Sequence, residues 1–198
     1  MGRGCPRPGL AHLQQFASKL FNFQAIGDDG DDIGISGKDL WKEMAELGWA
    51  GILIPEEYGC SDFGMMGLGG ILEETGRNLV PSPLFSTALL GVSLILLGGN
   101  TKQKKDLLPK IVQGKLTTAF ALEEGPRHSP YNISTVAKKK VGNFILEGTK
   151  TFVLDGHTAD NLIVAVRTSG KEKFNYNDLY KCSTCNCPTW SFKKFIWN

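Results

Sequence analysis

No run of apolar residues in this chain reaches the roughly 20 needed to cross a bilayer as a helix. The longest, residues 84–97, is interrupted by Ser86, Thr87, Gly91 and Ser93 and reads as a buried helix, so no membrane span is expected. Charge of one sign is also scarce: 22 Lys and Arg stand against 20 Asp and Glu, a formal net charge of +2. Phosphate-backbone binding needs a clustered basic face. The one such cluster, Lys138-Lys-Lys140, sits beside a turn and reads as a solvated strand end, so no nucleic-acid partner is expected. Cysteines number five, an odd count, with Cys5 and Cys60 far from the other three. That argues against a disulfide framework and for a reducing compartment, cytoplasmic or mitochondrial matrix, and not for secretion. Cys182, Cys185 and Cys187 could offer three metal ligands, but no second pair stands at the expected spacing, and no metal site is expected.

What is present is the composition of an ordinary soluble protein, 41% hydrophobic and 21% charged over 198 residues, enough for one large or two small domains. The first 27 residues carry Arg3, Arg7 and Lys19 with no acid, compatible with a transit peptide and equally with the start of a soluble helix. Gly2 lacks the Ser or Thr of a myristoylation signal, since Pro6 holds that place. Residues 27–34 are too polar and glycine-rich for a helix and read as a loop. They lack the terminal Glu of a calcium-binding loop.

Ser36 with an acid three residues on reads as an N-cap, and Leu40, Trp41, Met44 and Leu47 recur at helical spacing up to Gly48. A turn at Pro55-Glu-Glu-Tyr-Gly59 precedes a helix over about 64–79, with Leu68, Ile71, Leu72 and Leu79 inward and Glu73, Glu74 and Arg77 mostly outward. Gly67, Gly69 and Gly70 do not have phosphate-loop spacing and read as a helix–helix approach. Ser82-Pro83 predicts an N-cap for the apolar helix that closes at Gly98-Gly99. Thr101 is expected to cap a shorter helix kinked or broken at Pro109. From Leu116 the period changes to short β-rich runs, 117–122, 133–137, 143–147, 151–154 and 161–166, separated by glycine turns. The pattern is α+β: an all-α domain over 1–115, a small antiparallel β-barrel-like domain over 116–170, and a divergent tail over 171–198. That tail crowds aromatics among Asn, Lys and Cys without either period, and is expected to be disordered.

Three stretches carry a family resemblance. Leu53-Ile-Pro-Glu-Glu-Tyr-Gly59, Leu72-Glu-Glu-Thr-Gly-Arg77 and the segment from Leu146 to Arg167 resemble, in order, recurring parts of the acyl-CoA dehydrogenases, over about residues 36–170. That family oxidises the Cα–Cβ bond of an acyl-CoA thioester with bound FAD. The resemblance implies the family's helical N-terminal and β middle domains, an acyl-CoA substrate, FAD as cofactor, and homo- or hetero-oligomeric partners.

By the same resemblance, Phe120-Ala-Leu-Glu-Glu-Gly-Pro-Arg-His-Ser129 corresponds to a segment that lines the flavin. Phe120, Leu122 and Glu123 fall on it, Glu124 matches the family's glutamate, and Ser129 stands where a serine near the substrate thioester would. Glu123 replaces a threonine whose hydroxyl donates toward the ring, and Pro130 replaces an aspartate. Phe152, Val153 and Leu154 correspond to a second flavin-facing stretch. Phe152 keeps the aromatic and Leu154 loses a hydroxyl, departures that imply weak or absent FAD binding. Phe152 and Leu154 are two apart on one strand face, and spacing alone does not exclude a core role for them. His128 beside Glu124 and Ser129 suggests acid–base or nucleophilic work, but no nucleophile elbow surrounds Ser129 and no third orienting group is evident.

The family's catalytic base is a glutamate from a C-terminal helical domain. The sequence ends before such a domain, and Glu172 and Asp178 match no part of its motif, so no catalytic residue is assigned. The expectation is a part of an acyl-CoA dehydrogenase that is inactive alone. The alternatives are a non-catalytic module that pairs with a full-length relative, or the product of a truncated gene without independent function.

Overall fold

A computed structural model describes residues 37–60, 62–140, 143–167, 179–182 and 195–197. Ser36, the acidic run, the first 27 residues, Cys185, Cys187, Glu172 and Asp178 lie outside them. Among the described residues, four α-helices precede two small sheets, so the α+β class holds.

Helix α1 (Gly37–Glu46) buries Leu40, Trp41 and Met44. It stops at Gly48, whose φ of 81° frees Gly48 N–H for Ala45 O and Trp49 N–H for Met44 O, the paired bonds of a Schellman end. A one-turn 3-10 helix over Glu56–Tyr58 follows, closed by Gly59 at φ 98°. Helix α2 (Gly64–Arg77) buries Leu68 and Ile71. Its Gly67 lies under the Phe63 ring, where a Cβ would overlap ring atoms, and Gly69 faces open space. At Gly67 the expected helix–helix approach is therefore a ring contact within one segment, and at Gly69 no close approach is made. Glu74 is buried against Arg77 rather than outward. Leu79 does not point inward. It stands in the left-handed region at φ 49°, 80% exposed, and ends α2 with Leu79 N–H to Gly76 O and Val80 N–H to Thr75 O.

A π-helical segment, Leu84–Gly91, runs directly into α3 (Val92–Gly98). Pro83 is at its N-cap and no side chain caps it, so Ser82 does not have the expected role. Helix α4 (Thr101–Val112) is capped by Asn100 in place of Thr101, in a reciprocal box with Gln103. It passes through Pro109 without a break. Lys105, whose carbonyl loses its partner at Pro109, is exposed, so water can satisfy it, while Leu107, Leu108 and Ile111 anchor both sides of the proline in the core.

Strands β1 (Thr118–Ala121), β4 (Asn161–Ala165) and β5 (Leu179–Cys182) form one sheet in the order β1-β4-β5; β2 (Val136–Lys140), β3 (Asn143–Glu147) and β6 (Phe195–Trp197) form the other in that order. Two of these strands come from the stretch after residue 170. The sheets are open among the described residues, and β1 pairs with β4 in parallel, so the antiparallel barrel-like arrangement is not found. Residues 151–154 are not a strand. Every residue of β4 is buried. Ile163, with partly buried Phe120, joins the helical core around Met44, Ile71 and Leu108, whereas Leu162, Val164, Ala119 and Ala121 pack with Leu146 and Val153. One sheet thus serves two cores.

Two hydrogen-bonded contacts weld the halves. Thr87 Oγ1 donates to Thr118 O (3.1 Å) and accepts from Thr118 N–H (2.9 Å), so a threonine hydroxyl satisfies the strand edge that lacks a neighbour. Gly91 makes room for this, since a Cβ there would overlap the Thr118 hydroxyl. Ser86 donates to Asp155 Oδ2 at 2.5 Å.

Leucine in the left-handed region is strained and Leu79 buries little, so Leu79→Gly should raise unfolding stability by about 1 kcal/mol. Urea denaturation checks this, and a loss of stability would show that Leu79 has a packing role.

Candidate functional site

Beyond β1 the chain continues as residues 122–125, and residues 148–156 cross beside it. Thr151 N–H donates to Glu123 O (2.8 Å) and Thr151 Oγ1 to Gly125 O (3.3 Å). Under this crossing lies Lys150, 1% exposed. Its ammonium donates to Leu122 O (2.9 Å) and to Glu124 Oε1 (2.7 Å). The Glu124 carboxylate also accepts from Ser134 N–H (2.6 Å), Thr135 N–H (3.0 Å) and Thr135 Oγ1 (2.6 Å). Gly148 lets the chain pass, because a Cβ there would collide with the Thr135 backbone and hydroxyl. Burial pushes the Glu124 carboxyl up, but the bonds from Lys150, Thr135 and Ser134 outweigh it and hold the group below the usual glutamate range. Burial lowers the Lys150 ammonium from its ordinary value, against the opposing pull of Glu124.

Phe152, Val153 and Leu154 follow immediately. Val153 is 2% exposed and packs inward, whereas Phe152 is 73% and Leu154 51% exposed. The core alternative for Phe152 and Leu154 is thereby excluded. The backbone is left-handed at Phe152 (φ 51°) and Asp155 (φ 54°), an uncommon state for a bulky residue that persists only where surroundings impose it. The Lys150 anchor on one side and the Ser86–Asp155 bond on the other supply that imposition. Phe120 faces the helical core, half-buried, and Leu122 is half-buried beyond the strand end.

The Glu123 carboxylate folds onto its own loop, 2.6 Å from His128 Nδ1 and accepting from Ser129 N–H at 3.1 Å. His128 therefore pairs with Glu123, not Glu124, and has the orienting carboxylate that the sequence did not reveal. Ser129 is exposed and no bond links its hydroxyl to His128 among the described contacts, so no nucleophile relay forms. The structure thus gathers Glu123, Ser129 and the 152–154 segment around one crossing and leaves Phe120 on the opposite face. Lys150 and Thr135 were missed by sequence reasoning. The signal for Lys150 was a charge two residues past a glycine and two before the apolar run Phe152-Val-Leu154. Cys60 is disulfide-bonded, against the expectation of reduced thiols. Among the described residues no cluster of His, Cys, Asp or Glu could hold a metal, and no helix is long and apolar enough to cross a membrane.

The family profile described as acyl-CoA dehydrogenase, N-terminal domain, matches residues 11–115, more than half of the chain. The chain belongs to the acyl-CoA dehydrogenase family. This family is one of FAD-dependent flavoproteins. A 3-(aryl)acrylate reductase of Clostridium sporogenes is 32% identical over 149 residues, covering 73% of this chain and 39% of the relative. An acyl-CoA dehydrogenase of Mycobacterium tuberculosis is 34% identical over 133 residues, 66% of this chain and 34% of its own. The crystal structure of an acyl-CoA dehydrogenase from Geobacillus kaustophilus superposes with a TM-score of 0.66 at 31% identity, covering 80% of this chain and 42% of that one. The chain spans less than half the length of these relatives.

Removing one member of a buried ion pair leaves the other unpaired, at about 3–5 kcal/mol. Glu124→Gln strands the fully buried Lys150 ammonium. Lys150→Met leaves Glu124 with its Ser134 and Thr135 donors, so Glu124→Gln should be the more destabilising of the two in urea unfolding; the reverse order would contradict this arrangement. Because the Glu124 carboxyl titrates lower in the folded chain, its contribution is complete above the usual glutamate range. It is lost as pH falls through the lowered value, and Glu124→Gln should flatten that acid limb.

Proposed function

We propose that this chain supplies one wall of an FAD site for α,β-dehydrogenation of an acyl-CoA thioester, and that alone it does not turn over. The cofactor assignment is supported by the exposed pair Phe152 and Leu154, which offers a planar-stacking and apolar surface fixed on strained backbone beside an anchored loop. These residues fit an aromatic ring. Phe152 and Leu154 would hold one face of the isoalloxazine and Val153 would brace them from the core. Leu122 and Glu123 would contribute from the segment just past β1, Phe120 would act only by bracing that strand against the helical core, and Ser129 would stand toward the thioester. When bound, FAD accepts the hydride leaving the acyl β-carbon. The charge of Glu123, unfavourable beside a reduced flavin, is drawn away by Ser129 N–H and His128.

The absence of turnover rests on one observation: among the described residues, each carboxylate adjoining this face is already hydrogen-bonded. Glu123 is held by Ser129 and His128, Glu124 by Lys150, Thr135 and Ser134, and Asp155 by Ser86. Abstraction of the α-proton needs a carboxylate within hydrogen-bond reach of it, and each of these three would have to give up its present partners to serve. A base from a further domain or a second acyl-CoA dehydrogenase chain, its own kind or another, belongs to the same proposal. The exposed Phe152–Leu154 face would be covered by that addition.

Purified chain mixed with FAD and a range of acyl-CoA thioesters should reduce an artificial electron acceptor no faster than FAD alone. Turnover above that background would overturn the inactivity proposal.

A further inference from the structure

We infer that Lys150 and Glu124 are a positioning pair, which holds the 122–125 segment against the 148–156 segment at the spacing a flat ring requires. The inference rests on the flavin-wall reading above and deepens it. Three observations carry it. First, the pair lies where no ladder does: residues 122–125 and 148–154 belong to no strand, and among the described contacts the hydrogen bonds between them other than those of Lys150 are the two from Thr151. Second, the network is completed across three segments. The ammonium holds the Leu122 carbonyl, and the carboxylate holds Ser134 and Thr135. Third, Lys150 is two residues from Phe152, whose left-handed backbone leaves the ring 73% exposed next to the buried Val153.

A buried ion pair is a poor device for stability alone, since hydrophobic replacements of equal volume do as well or better. Its value is geometric. Two charges with satisfied bonds specify one arrangement, whereas an apolar contact tolerates sliding. The pair therefore sets Phe152 and the 122–124 backbone relative to each other before a ring arrives. That removes an ordering cost from binding.

The test uses the full chain and the double variant Lys150→Met/Glu124→Gln, which deletes both charges and keeps an oxygen for Thr135. Thermal unfolding without FAD, amide exchange at Thr151 and Gly156 with Ala119 as the core reference, and FAD affinity by flavin fluorescence are measured. The expected result is a midpoint close to that of the unaltered chain. Exchange should be about tenfold faster at Thr151 and Gly156 but not at Ala119, and FAD affinity about tenfold weaker. Unchanged exchange at Thr151 and Gly156 overturns the proposal, as does acceleration at all three amides alike, which marks a merely structural pair. Weakened exchange protection with unchanged affinity overturns it too. If the double variant does not fold, Thr135→Val, which removes one bond to Glu124, is measured instead, and equal exchange in that variant and the parent overturns the proposal. Should the unaltered chain fail to take up FAD at all, the flavin reading fails, while the exchange comparison still decides the pair.

Discussion

The ammonium of Lys150, taken out of water and placed under a chain crossing, is the constraint on which the β half depends. Such a charge is tolerable only with partners of fixed position, and they come from separate stretches: a backbone carbonyl at Leu122 and a carboxylate at Glu124. Glu124 in turn needs donors, found at Ser134 and Thr135. Thr135 O accepts Arg167 N–H, and Arg167 O accepts Ala137 N–H, so the same network reaches the end of β4 and the start of β2. A glycine at 148 is then obligatory for passage over Thr135. Sequence, packing and polar satisfaction converge on one residue.

The helical half reaches this centre through a shared strand. β4 is buried along its length, with Ile163 in one core and Leu162 and Val164 in the other, as expected of a strand covered on both faces. The π-helical segment adds polar precision: adjacent Ser86 and Thr87, both fully buried, bond to Asp155 and to the edge of β1. Asp155 is the far anchor of the loop that carries Phe152 and Leu154. Helix, strand and exposed aromatic are thereby mechanically linked.

Much of this was legible in the sequence and some was not. Periodicities of helix and strand, the Gly48 and Gly59 stops and the change of character near residue 115 report local chemistry, and local chemistry is what periodicity records. The family likeness was carried by motifs that remain where the chain needs them. What escaped were matters of context. Whether Phe152 and Leu154 are core or surface depends on φ at Phe152, which spacing does not encode. The Asn100 box needed the reach of Gln103, and the tolerance of Pro109 needed the exposure of Lys105. Glu123 read as a charge aimed at a ring until His128 was seen beside it, five residues on.

The central claim is that the exposed Phe152–Leu154 face receives a flat aromatic ring. Nuclear magnetic resonance of the chain titrated with FAD measures this most directly, through ring-current shifts at individual side chains. The account predicts upfield movement of the Leu154 methyls and the Phe152 ring protons, with the buried Val153 methyls little changed. Shifts absent from Leu154 and Phe152 at saturating FAD, or scattered over the helical half instead, would contradict it.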